Sequence, residues 1–230
     1  MFATGLEAHL RVAPKATHCQ NHRSRLGGAA RRIGDIVVAG SALVVLFPVL
    51  VLIGLIIRIT SPGPAIFAQQ RVGLDRNPFV FYKFRTMRVD GDATVHHEMI
   101  LRELRGEDTS CGGSWKLDCD SRITKIGAVL RKTSLDELPQ LFNVLRGEMT
   151  LVGPRPCLPW EAELFPREFD DRFGVSPGLT GLWQVSGRST MGTLDMLRLD
   201  VEYARHRTLR GDIAILALTI PAVLRRDGAR

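Results

Sequence analysis

From Ile36 to Ile57 the chain reads IVVAGSALVVLFPVLVLIGLII, an apolar run without a single charge. As a straight helix it would measure about 33 Å, enough to cross the hydrocarbon layer of a bilayer. It begins too deep in the chain, and is too long, for the core of a secretory signal, and no small-residue cleavage site follows it. Pro48 lies just past its middle, where it removes one helical hydrogen bond and presses on the carbonyl of Val44, favouring a kink. Arg31 and Arg32 precede the run, while Arg58, Arg71, Arg76 and Lys83 follow it, so both flanks carry the charge that marks a cytoplasmic side. The residues alone leave three readings open: a re-entrant helix–break–helix, a kinked spanning helix, and a buried core helix. Asp35, at the mouth of the run, reads as an N-terminal cap or as an ion-pair partner of the neighbouring arginines.

The net charge of +7 raises the question of nucleic acid, and its placement answers it. Residues 1–34 hold Arg11, Lys15, Arg23, Arg25, Arg31 and Arg32 against Glu7 alone, so the remaining chain is close to neutral. A basic arm ahead of an apolar run suits anionic lipid, and the body lacks the basic, aromatic surface that binds nucleic acid. The four cysteines, Cys19, Cys111, Cys119 and Cys157, form no CxxC pair and are too few for a disulfide scaffold, which fits a reducing compartment. His96 and His97 are adjacent, which does not put both on one helix face, and they read as solvated helix surface.

After the turn-rich TSPGP, the segments AIFAQQRVGL and FVFYKFRTM read as two strands joined by the polar DRNP. Residues 88–120 read as a polar insertion with a helix around His96 to Arg105. Helical spacing resumes from Ser121, and TLVGPRP reads as a short strand stopped by a rigid turn. The glycines of VSPGLTGLWQVSGR point to a shaped loop that brings backbone close to a ligand. LDMLRLDVEYARHR is an amphipathic helix. DIAILALTIPAVLRR is too short to cross a membrane and suits an interfacial helix or one that closes the core.

The stretch RKTSLDELPQ carries the chemistry question. Ser134 and Glu137 stand at capping-box spacing and Asp136 could itself cap, with Pro139 in the first turn. The alternative is a nucleophilic carboxylate, which attacks phosphorus only where cations neutralise the phosphate. Arg131, Arg155 between two prolines, Arg188 after the glycine loop, and Lys83 and Arg85 on a strand-like segment are the candidates. No phosphate-binding or dinucleotide glycine motif, GxSxG or HExxH is present.

Three motifs in order, YKFRTM, RKTSLDELPQLFNVLRGEMTLVGPRP and PGLTGLWQVSGR, resemble those of the bacterial sugar transferases, monotopic polyprenyl-phosphate phosphoglycosyltransferases, over about residues 31–226. The insertion is similar to that of exopolysaccharide-type members. The resemblance implies an α+β, membrane-associated catalytic domain: a basic extension over residues 1–30, a re-entrant helix over 31–59 broken at Pro48, and a catalytic domain with interfacial helices over 60–230. It implies transfer of a hexose 1-phosphate from a UDP-sugar, with galactose or glucose the favoured hexose, to undecaprenyl phosphate, with release of UMP. The setting would be the cytoplasmic face of the bacterial inner membrane, in contact with its lipid; a homodimer is left open. Asp136 would be the nucleophile forming a covalent phosphosugar, Glu137 would hold Mg²⁺, and Asp200 would be a further acidic active-site residue. Arg131 and Arg155 match phosphate-binding positions, and Lys83, Arg85, Gln184 and Arg188 lie in the same motifs. The family's helix breaks at Ser-Pro, and here Phe47 replaces the serine whose hydroxyl could bond a freed carbonyl. The competing expectation is a membrane-anchored scaffold of a polysaccharide assembly complex that keeps the fold without the chemistry.

Overall fold

Arg23–Thr60 forms one long helix, α1, in the computed structural model, which describes residues 23–88, 94–107, 109, 122–187 and 191–224. The expected break at Pro48 does not divide it, because the proline withdraws one hydrogen bond from a helix that is anchored on both sides of it. A narrow stripe of α1 is buried, through Asp35, Ala39 and Leu43 and then Ile53 and Ile57. The rest of its surface is bare: Val44, Val45, Phe47, Leu52 and Ile59 are all more than half exposed. Of its most apolar eighteen residues 11% are buried, so a buried core helix is excluded; α1 is long and apolar enough to cross a membrane.

Both ends of α1 dock on the same body. Near the start, Arg31 pairs with Asp212, Arg32 donates to the carbonyls of Val144 and Leu145, and Asp35 accepts from the Leu151 N–H. Near the end, Ile53 and Ile57 pack with Phe84 and Leu130. Arg85 then closes the exit, its guanidinium donating to the carbonyls of Ser61 at 2.8 Å and Pro62 at 2.7 Å.

The two strands expected around DRNP pair as an antiparallel hairpin, β1 (Ile66–Val72) with β2 (Pro78–Phe84). The free edge of β2 is met by a side chain. Asn143, fully buried on α4 (Leu141–Arg146), accepts from the Tyr82 N–H at 3.2 Å and donates to the Val80 carbonyl at 2.6 Å. One amide therefore fixes the strand that carries Lys83 against the helix that follows Asp136. Asn143→Ala leaves two partly buried backbone groups of β2 without this partner and is expected to destabilise the fold by about 1–3 kcal/mol, read from the thermal unfolding midpoint in detergent.

The helix expected around His96 to Arg105 is α2 (Thr94–Leu104), where exposed His97 lies 4.8 Å, ring to ring, from Trp160. Next come α3 (Lys125–Thr133), β3 (Thr150–Val152) and α5 (Pro159–Leu164). The glycine segment differs from expectation. Gly178–Thr180 forms β4, which pairs in parallel with β3, and Leu182–Ser186 forms the short helix α6. Its glycines admit backbone to backbone contact: a Cβ on Gly178 would lie 2.0 Å from the Gly153 nitrogen. The chain closes with α7 (Thr193–His206) and α8 (Leu209–Leu224), which buries Ile215 in the core and leaves Ile213 and Ile220 exposed.

Candidate active site

The site is assembled where α3 crosses the end of the hairpin. Thr124 caps α3 through the Gly127 N–H at 2.9 Å, and Gly127 lets the helix lie on the backbone of Thr86, since a Cβ there would sit 2.0 Å from the Thr86 carbonyl oxygen. One turn on, Arg131 Nε donates to Thr86 Oγ1 at 3.0 Å. Ser134 then ends α3 in the left-handed region, φ 55°, and turns the chain into a 3₁₀ helix over Leu135–Gln140. This corrects the capping-box reading: the Ser134 side chain caps nothing, because the residue is spent on stopping one helix and redirecting the next.

That turn buries Asp136 to 8% exposure. Burial, then the neighbouring Glu137, pushes its carboxyl up to about 6, against the pull of Lys83, Arg131 and Arg155. Lys83 is shifted the other way. Burial, then Arg131 and Arg155, brings its ammonium down to about 8, with Asp136 opposing. Its Nζ stands 5.3 Å from the centre of the Phe67 ring. Arg155, in the turn after β3, reaches Glu137 Oε1 at 3.4 Å and stays partly open to solvent, as Glu137 does.

Thus Lys83, Arg131, Asp136, Glu137 and Arg155 share one electrostatic site. Arg85 does not: its two terminal nitrogens are committed to the exit of α1. Asp200 stands behind the site, 1% exposed, and accepts from Arg172 Nη2 at 2.8 Å and Nε at 3.2 Å. Gln184 lies on α6 with Nε2 3.5 Å from the Leu179 carbonyl, and Arg188 lies outside the described residues. Two further cations belong to the neighbourhood. Arg172 is buried between the rings of Phe165 and Phe173. Arg71, brought down to about 10 by burial and then by Arg155, sits over Phe81 and 4.0 Å from Glu161. Neither stands in a motif that singles it out, and only the folded partners reveal their placement.

Among the described residues, no group of three or more His, Cys, Asp and Glu is placed to cage a metal. The adjacent carboxylates Asp136 and Glu137 do fit Mg²⁺, which takes one or two protein carboxylates and completes its shell with phosphate oxygens and water.

The carboxylates Asp136 and Glu137 thus stand among the cations Lys83, Arg131 and Arg155, and the site is open to solvent on the Glu137–Arg155 side. The chain belongs to the bacterial sugar transferase family, whose sequence model matches residues 26–226. It is 37% identical to the exopolysaccharide production protein ExoY of Sinorhizobium fredii, over 89% of each chain. It is 44% identical to the UDP-galactose-lipid carrier transferase of Erwinia amylovora, over 90% of this chain and 42% of that one. To the undecaprenyl-phosphate galactose phosphotransferase of Salmonella typhimurium it is 43% identical, over 86% of this chain and 41% of the relative. The chain thus spans about two-fifths of the length of these last two relatives.

Proposed function

We propose that this protein transfers a hexose 1-phosphate from a UDP-sugar to undecaprenyl phosphate, releasing UMP and starting exopolysaccharide or related glycan synthesis. The observation that carries the reading is the placement of Asp136, a buried carboxylate pushed up to about 6 by burial and then by Glu137, among the opposing cations Lys83, Arg131 and Arg155. The names of the Salmonella and Erwinia relatives support the lipid acceptor and the UDP-sugar donor, with galactose as the hexose to try first.

In this mechanism a carboxylate oxygen of Asp136 attacks the sugar-bearing phosphorus. The bond to the bridging oxygen breaks, and UMP leaves with the electron pair. The phosphate oxygen of undecaprenyl phosphate then attacks the same phosphorus, freeing the Asp136 carboxylate and giving the lipid-linked sugar diphosphate. Lys83, Arg131 and Arg155 neutralise the phosphate charge that would otherwise repel an anionic nucleophile. Glu137, with Asp136, would hold Mg²⁺, which supplies further neutralisation of the diphosphate. The direct test incubates the purified protein in detergent with undecaprenyl phosphate and a panel of UDP-sugars. Continued UMP release is expected only with both substrates, donor alone giving at most one equivalent per enzyme as the covalent phosphosugar forms, and no release from any donor would sink the assignment.

The docking of both ends of the unbroken α1 on one domain supports a placement in which the helix does not cross the bilayer, and the basic residues on both of its flanks favour the cytoplasmic face. A straight crossing would separate Asp35 from Ile57 by about 33 Å along the membrane normal, yet both residues are buried against one domain. Cysteines placed at the two flanks of α1 in intact cells should both resist an impermeant maleimide. Labelling of one flank from outside would establish a crossing.

A further inference from the structure

We infer that Asp200 and Arg172 are positioning residues that set the phosphate-binding Arg155 from behind, and that Asp200 does not itself meet substrate. The carboxylate of Asp200 is 1% exposed and faces away from solvent into the guanidinium of Arg172, with bonds of 2.8 and 3.2 Å. A group so enclosed has no path to a phosphate or to a metal bound at Glu137. Arg172 is held in one orientation by the rings of Phe165 and Phe173, at 5.2 and 5.1 Å. Nη2, the nitrogen that meets Asp200, also donates to the main-chain carbonyl of Arg155 at 2.8 Å. The guanidinium of Arg155 in turn meets Glu137, the neighbour of Asp136. The run Asp200, Arg172, Arg155, Glu137 thus links the interior of α7 to the reacting carboxylates.

A fixed carbonyl matters here because Arg155 stands between Pro154 and Pro156, whose rings restrict the turn. With the carbonyl also tied, the long side chain starts from one backbone position and loses less freedom on meeting a phosphate. The guanidinium holds Asp200 through Nε as well as Nη2, so Nη2 stays aimed at the Arg155 carbonyl, whereas a lysine has no second nitrogen to fix its orientation.

The inference rests on the transferase reading only for its activity assay. The experiment is a double-mutant cycle in the full chain, with Asp200→Asn and Arg155→Ala singly and together, measured well below each melting temperature. Asp200→Asn is expected to lower kcat/KM for the UDP-sugar about 10- to 100-fold, and Arg155→Ala by at least as much. The double variant should match Arg155→Ala within about threefold, because Asp200 acts through that arginine. Multiplying losses would overturn the inference by giving Asp200 a role of its own, as would a folded Asp200→Asn protein with unchanged kcat/KM. If Asp200→Asn does not fold, Arg172→Lys serves in its place with the same masking expected, and Arg172→Gln should lose more activity than Arg172→Lys. If wild type releases no UMP from any donor, the transferase reading fails separately. The cycle is then read from the affinity for UDP, with the same masking expected and independent losses overturning it.

Discussion

Asp136→Asn is expected to abolish UMP release and, in the same protein, to raise the melting temperature. Loss of the attacking oxygen should lower the rate by at least about 10³-fold. The stability gain follows from the direction of the carboxyl's shift. Its folded pKa of about 6 stands above the ordinary value of 3.8, so the fold favours the protonated form. The stabilisation from that form is complete below the unfolded value and is lost as pH rises through 6. At pH 7 the wild-type fold therefore bears an ionised, buried carboxylate at a disadvantage of about 3 kcal/mol, one pKa unit being about 1.4 kcal/mol. Asparagine keeps the shape and removes the charge. Its advantage should shrink as the pH is lowered toward 4, where the aspartate is neutral too. A midpoint unchanged at pH 7 would mean that Asp136 is not buried as an anion, and wild-type turnover would remove it as the nucleophile.

That opposition between stability and activity is a mark of a functional residue, since nothing in folding requires a carboxylate where burial and Glu137 both disfavour its charge. The structural polar groups behave otherwise. Asn143 satisfies the edge of β2, and Arg85 satisfies the exit of α1, each by bonding backbone that would otherwise stay unpaired.

The difference also explains what the sequence made legible. The hairpin around DRNP and the helices followed from local pattern, and the grouping of Lys83, Arg131, Asp136, Glu137 and Arg155 followed from their motifs. Arg172 and Asn143 escaped notice because their partners, Asp200 with the Arg155 carbonyl and the edge of β2, lie far away along the chain. Arg85 was drawn toward the ligand because strand alternation would put it on the face of Lys83, two residues earlier, but β2 ends at Phe84 and Arg85 turns to the exit of α1. The glycines of VSPGLTG signalled a close approach of backbone, and in the fold Gly178 and Gly181 make one to Gly153 beside β3. The capping box at Ser134 failed for a tertiary reason, the left-handed turn needed to swing Asp136 under Lys83 and Arg131.

The pH dependence of kcat/KM for the donor should be a bell whose limbs belong to two identified residues. On the acid side the nucleophile must be ionised, so activity falls about tenfold per unit once pH drops below the Asp136 value of about 6. On the alkaline side Lys83 must carry its proton to attract the diphosphate, so activity falls as pH rises through about 8. Lys83→Arg separates the two. An arginine stays charged throughout this range, so the alkaline limb should move out by at least about two units while the acid limb stays in place. The profile of kcat gives an internal check. Once donor is bound, its phosphates hold the Lys83 proton, so the alkaline limb of wild-type kcat should already lie above that of kcat/KM. An alkaline limb unmoved by Lys83→Arg would assign that ionisation to another group and leave Lys83 without the phosphate-neutralising role given to it here.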